Sequence, residues 1–414
     1  MRQTNFQNKL IDTFFNVILA GTLVSLVAAL LYYVYAFAAL SAGDHSFDWL
    51  LGVFSDFVYI MDVSLGKSPY VAADSSYPPF AIIILYPFAL ICKNVFAKYS
   101  GMPLTTDELT SRVILHGEFW ISIVLFFIFC SAAIVISLTA LYRPTPKTAL
   151  KLGVVTLTSA PFIFTVMRGN TIYFALIFTV LFFILKKSKY AAVRELGYLC
   201  LVLAGLIKIY PLFFGVFLLS ERKIWASIRI ALYSVILFFA SFLIFRGTED
   251  LMPFFENLGG FASNDTRLTA PNNLSLASLL NKFIGLFTDG NKGNAFGAVV
   301  GAVLGIVFVI CAVAAIITKN QLSRYVISGA TIILIPPISY FYVLIFTILP
   351  FLEFLKEYER IHAGKRKFYT LAFLFLFLMP TMVAQNYIIH SLLILTMLLW
   401  EIVSVYRERI PDTI

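Results

Sequence analysis

The chain has 414 residues, of which 60% are hydrophobic and only 13% charged, and long apolar runs recur along its length, which excludes an ordinary soluble domain. Those runs are continuous, which excludes an outer-membrane barrel of short alternating strands. The net charge of +9 is spread over short loops, as positive-inside sorting produces, and forms no nucleic-acid patch.

In chain order, apolar runs predict helices near residues 10–40, 78–97, 113–141, 150–166, 170–185, 196–220, 224–245, 295–318, 325–355, 368–385 and 387–406. The first is about twice a signal peptide's apolar core and reads as a membrane helix. Arg2 and Lys9 precede it, whereas residues 41–77 carry Asp44, Asp48, Asp56, Asp62 and Asp74 against Lys67 alone, so that stretch faces outward. Tyr77-Pro78-Pro79 opens the second run, because proline suits a first helical turn and restricts the residue before it.

The run 325–355 exceeds one span, and Pro336-Pro337 divides it into a tight helical pair. Basic clusters at Lys186/Lys187/Lys189/Arg194, Arg222/Lys223/Arg229, Lys319/Arg324 and Lys356/Arg360/Lys365/Arg366/Lys367 read as cytoplasmic, but simple threading does not satisfy them all. Either residues 196–220 form one span and a basic cluster lies outside, or Pro211 splits them and a segment upstream fails to cross. The expectation is a single all-α polytopic membrane bundle of about twelve transmembrane helices, with both termini inside and outer loops at 41–77 and 246–294. Residues 10–245 form its catalytic module and 295–406 its C-terminal helices. Cys92, Cys130, Cys200 and Cys311 lie in or beside apolar runs without metal-ligand spacing and read as packing residues.

Five segments carry a resemblance when taken in order: DFVYIMDVSLGKSPY, YPPFAIIILYP, RGNTIYFALIF, LAGLIKIYPLFF and PNNLSLASLL. Together they resemble glycosyltransferase family 87 over residues 10–280. The resemblance implies the GT-C superfamily architecture and transfer from polyprenyl-phosphate-linked sugars, polyprenyl-phosphomannose being the most familiar. It implies a glycan or glycolipid acceptor, a bacterial or archaeal cell membrane, no metal or other cofactor, and a catalytic acid in the first outer loop, here Asp56.

The chemistry of the residues is consistent with that. A carboxylate takes the proton of an acceptor hydroxyl as it attacks the anomeric carbon, inverting it, and a lipid phosphate leaves without a proton donor. Asp62, six residues on, is the alternative base, and either acid also reads as an ordinary solvated residue. Lys208 sits inside LAGLIKIYPLFF, where a lysine at the bilayer centre costs about 2.5–3.5 kcal/mol, so a donor phosphate is its natural partner. Arg168 is a second phosphate contact or a simple charged turn. Tyr59, Tyr70 and Tyr77 line an acceptor groove or belong to an aromatic belt.

Asn272, Asn273 and Ser275 stand where the family has an amide and hydroxyl cluster, suited to sugar hydroxyls or to capping the helix that follows. Tyr340 and Tyr342 replace the tryptophan and histidine that family members show, which preserves stacking on a sugar but not histidine chemistry. A lipid-sugar flippase would show matched helix breaks in two repeats, and Lys208-Pro211 has no counterpart. A polymerase or ligase of envelope polysaccharide would rest on outer-loop arginines.

Overall fold

The computed structural model describes residues 53–408 apart from 67, 271, 286–293 and 379–386, together with scattered positions between 12 and 38. The expectations for Asp44, Asp48 and Lys67 lie outside the described residues. All regular structure among the described residues is helical, as expected. The chain forms two compact units, Leu19–Ile209 with Ile230–Gly260, and Met1–Ile18 with Tyr210–Arg229 and Phe261–Ile414.

In the first unit, α1 (Ser55–Leu65) buries Phe57, Val58, Ile60 and Met61. Phe57 meets Phe88, Phe119 and Phe126 with ring centroids 6.4, 6.3 and 5.0 Å away. Phe119 and Phe126 belong to α2 (Gly117–Tyr142), whose 26 residues extend about 39 Å at 1.5 Å each. Its first turn packs on Phe54, so it starts at the Asp56 end of the unit and finishes at Arg143.

Thr145 accepts the Thr148 amide and Pro146 takes the first helical position, so the chain reverses directly into Pro146–Thr158. A 54° bend leads into α3 (Ala160–Arg168), which brings Arg168 back to Asp56. From there α4 (Ile172–Leu185) runs out to the Lys186/Lys187/Lys189 cluster, and α5 (Ala191–Ile207) returns to Lys208. The pair packs closely at Gly197, where a Cβ would lie 2.9 Å from both Leu185 Cβ and the Lys186 nitrogen.

This path bears on the threading left open by the basic clusters. The stretch Pro79–Val113 turns through 93° between Pro79–Ile91 and Lys93–Tyr99. It begins beside Tyr77 and ends packed on α1, with the Tyr99 hydroxyl 2.9 Å from His116 Nε2 and Trp120 donating to the Ile114 carbonyl. It therefore starts and finishes at the same end of the unit. Correspondingly, 196–220 is not one helix: α5 stops at Ile207, Lys208 is extended at φ −143°, and a 3-10 turn over Tyr210–Gly215 contains Pro211.

Among the described residues, four helices have the length and composition to cross a membrane: α2, Ile224–Phe242, Val299–Ile317 and Tyr387–Arg407. Counting each bent pair as one span brings the number to six. The expected dozen also counts apolar runs such as 170–185 and 196–220, which here form helices of 14 and 17 residues.

After Ser263, the end of α6 (Thr248–Ser263), the second unit contains α7 (Leu276–Gly285) and centres on Gln321–Leu334, which is buried at nearly every position. The predicted break falls at Pro336-Pro337, followed by a 3-10 turn over Phe341–Thr347 and the helix Ile348–Glu357. Glu401, inside the apolar Tyr387–Arg407, has no solvent exposure. Its carboxylate is satisfied by Ser323 and Lys365, each at 2.8 Å, and by the Tyr369 hydroxyl. A buried charge so surrounded is a clamp between helices, since removing any donor leaves an unmet acceptor.

Candidate functional site

Asp56 stands in the first turn of α1, where the unpaired amides of a helix start favour negative charge. Phe54, just before the helix, is left-handed at φ 65°, a conformation unfavourable for a residue with a Cβ. Two contacts hold it there. Its amide donates to the Met167 carbonyl at 2.7 Å, and its ring packs on Phe119, Trp120 and Phe127. The start of α1 is thereby fixed to the end of α3.

The RGN turn supplies three groups in succession. Arg168 places Nη2 2.6 Å from Asp56 Oδ1 and Nε 3.3 Å from Oδ2. Gly169 adopts φ +62°, and a Cβ there would lie 2.5 Å from the Cβ of Phe57, so only glycine allows this turn to press against α1. Asn170 donates from Nδ2 to Asp56 Oδ2 at 2.7 Å, while its Oδ1 accepts the Ile172 amide at 3.0 Å and opens α4. Burial would raise the pKa of Asp56. The Arg168 charge, the hydrogen bonds from Arg168 and Asn170, and the field of Lys208 together hold it below its ordinary value.

Lys208 caps α5, and its Nζ lies over the Tyr77 ring at 4.3 Å. Pro79 starts the helix after Tyr77, as the sequence indicates. The Tyr77 ring also packs 6.1 Å from that of Tyr59, and the Tyr77 carbonyl accepts the Tyr70 hydroxyl at 3.0 Å. Tyr59 donates to the Ala73 carbonyl. The first unit thus gathers Asp56, Arg168, Lys208, Tyr59 and Tyr77 at one end, joined by Asn170. Asp62 is exposed, is roughly 240° around the helix from Asp56, and has no ion pair with a described residue.

No pattern in the sequence signals what anchors the segment that follows α1. Asp250 of α6, fully buried, accepts from the Ser68 hydroxyl at 3.1 Å and the Arg246 amide at 3.0 Å. Asn257 donates to the carbonyls of Tyr70 at 2.8 Å and Ser75 at 3.3 Å. Tyr70, 1% exposed, packs among Phe242, Phe245 and Phe254 and serves as an anchor. Residues 68–75 and 246–257 therefore meet within this unit.

The remaining predicted residues form a second cluster within the second unit. Asn273 Nδ2 reaches the carbonyls of Arg267, Leu268 and Pro337, and its Oδ1 accepts the amides of Ser275 and Ser339. Ser275 donates to Pro337 and accepts the Ser278 amide, capping α7. Asn273 also forms a single bridge with Tyr340, whose ring lies 6.0 Å from Tyr342. The asparagine-serine segment and the tyrosine segment are therefore joined through backbone, while Asn272 is half-buried beside them.

A family model described as glycosyltransferase family 87 matches residues 76–339, well over half of the chain. No curated protein and no solved structure matches. The matched stretch holds Tyr77, Arg168, Asn170, Lys208, Asn272, Asn273 and Ser275. Asp56 precedes it, and Tyr340 and Tyr342 follow it.

Proposed function

The chain belongs to glycosyltransferase family 87 and is a membrane glycosyltransferase, and on that premise we propose that Asp56 is its catalytic base. The reaction is transfer of a sugar, mannose or another hexose or pentose, from a polyprenyl-phosphate carrier to a glycan or glycolipid acceptor on the outer face of the cell membrane. The observation carrying this reading is the convergence of one partly buried carboxylate and two cations, Arg168 and Lys208, with Arg168 and Lys208 both inside the family match. Asp56, outside the match, is tied to it by its contacts with Arg168 and Asn170.

Asp56 takes the proton of the acceptor hydroxyl, and the hydroxyl oxygen forms a bond to the anomeric carbon from the side opposite the phosphate. The bond between that carbon and the phosphate oxygen breaks, and polyprenyl phosphate leaves with the electron pair, stabilised by Lys208 and Arg168. Arg168 is occupied by Asp56 in this structure, so it moves toward the phosphate when donor arrives. Tyr59 and Tyr77 form a wall of the acceptor path. Within the second unit, Asn272, Tyr340 and Tyr342 are the candidate substrate-binding side chains, with Asn273 and Ser275 holding their loop in shape. A GT-C bundle of about twelve crossings completes the reading, with short helices such as α4 included.

The test is to supply purified protein in vesicles with a panel of radiolabelled polyprenyl-phosphate sugars and a membrane glycolipid extract. The expected result is loss of one labelled donor, with label in a glycolipid of inverted anomeric configuration. Passage of intact donor across the bilayer without bond cleavage would identify a flippase.

A further inference from the structure

The three donors around Asp56 differ in how firmly they are fixed. The Arg168 side chain is 34% exposed at the end of α3 and holds the carboxylate through a flexible stem. Asn170 has no exposure, and its amide is oriented at both ends: Oδ1 must face the Ile172 N–H, so Nδ2 must face Asp56. It cannot turn away without giving up the Ile172 amide at the start of α4. Asp56 Oδ2 accepts from Asn170 and Arg168 Nε, whereas Oδ1 accepts only from Arg168 Nη2 among the described residues.

We propose that Asn170 is the positioning residue of the site, holding Asp56 Oδ2 so that Oδ1, uncovered when Arg168 moves to the donor phosphate, is the oxygen that takes the acceptor's proton. This rests on the reading of Asp56 as base. A carboxylate held only by Arg168 would rotate about its χ2 bond once the guanidinium left, and rotational misplacement of about 1 Å costs on the order of 100-fold in rate. The neutral amide keeps the geometry without adding a charge beside the carboxylate, although its hydrogen bond, like the charges of Arg168 and Lys208, favours the ionised form. Asp107, Glu108 and Arg112, on the Thr106–Val113 helix packed against α1, are exposed to solvent, as is Asp62 on α1 itself.

Two variants separate positioning from folding. Asn170→Asp keeps an oxygen to accept the Ile172 amide and so keeps the turn, but sets a second carboxylate 2.7 Å from Asp56 Oδ2. Two acids at that distance share a proton, so the acid limb of the kcat profile moves up by about one pH unit or more. Asn170→Ala is expected to lower kcat by about 10- to 100-fold with donor KM within about twofold of the parent.

Transfer would be measured from pH 4.5 to 8.5 with the polyprenyl-phosphate sugar that the parent consumes, normalised to folded protein, with Asp56→Asn alongside. An unchanged acid limb in Asn170→Asp, or activity losses that only follow the amount of folded protein, overturns the inference. Full transfer by Asp56→Asn overturns the reading of Asp56 itself, so the two failures are distinct.

Discussion

In the proposed reaction a lysine and an arginine divide the cationic work, and their surroundings account for the division. Lys208 sits over the Tyr77 ring at the open end of α5, whereas Arg168 is shared with a carboxylate. Replacing Lys208 with methionine keeps most of the side chain's bulk and removes its charge. Lys208→Met is therefore expected to raise donor KM by about tenfold or more, with a smaller change in kcat, measured by varying the donor at saturating acceptor. An unchanged donor dependence would count against a phosphate contact. At this scale the sequence revealed Lys208, because a cation inside an apolar run is costly unless it meets an anion or water. Asp56 was visible too, but spacing alone did not separate it from Asp62; the ion pair and amide now distinguish their surroundings. Asn170 went unnoticed because an asparagine after a glycine reads as turn chemistry, and its second role depends on a contact 114 residues away in sequence.

Among the elements, the RGN turn bears the greatest constraint. Gly169 and Gly101 both have positive φ, at +62° and +82°, yet a Cβ at Gly101 meets nothing within 4 Å whereas one at Gly169 collides with Phe57. Backbone strain is common to both positions and the collision to one. Gly101→Ala is expected to lose about 1 kcal/mol, while Gly169→Ala loses about 2–3 kcal/mol more and displaces Arg168 and Asn170 from Asp56. Thermal unfolding in detergent, read with transfer activity, checks this: a similar small shift for both variants would mean that the turn does not need its close approach to α1. The helix breaks at Pro211 and Pro336-Pro337 were legible, because proline removes a donor and its ring clashes with the preceding turn. The 93° turn after Ile91 was not, since YPFALICKNVFAKY contains no glycine and its proline precedes the bend.

For the whole molecule, the all-helical membrane class followed directly from composition, and the family from the order of its motifs. Threading did not, because apolar length cannot distinguish a crossing from a segment that folds back. The path of the first unit places Asp56, Tyr77, Arg168 and Lys208 at one end, and Arg143 and the Lys186/Lys187/Lys189 cluster at the other. All four native cysteines are buried, so single introduced cysteines report their side cleanly. Asp74→Cys is expected to react with an impermeant maleimide in intact cells and Lys187→Cys only after permeabilisation; the reverse pattern would invert the proposed face. The central claim is that one carboxylate, Asp56, activates the acceptor of a sugar transfer. Its most direct test compares Asp56→Asn with Asp62→Asn at equal expression, using membranes and the radiolabelled polyprenyl-phosphate sugar that the parent consumes. With Asp56 as the base, Asp56→Asn loses about 100-fold or more of the transfer rate while Asp62→Asn stays within a few-fold of the parent. Retained transfer by Asp56→Asn, or loss confined to Asp62→Asn, would contradict it.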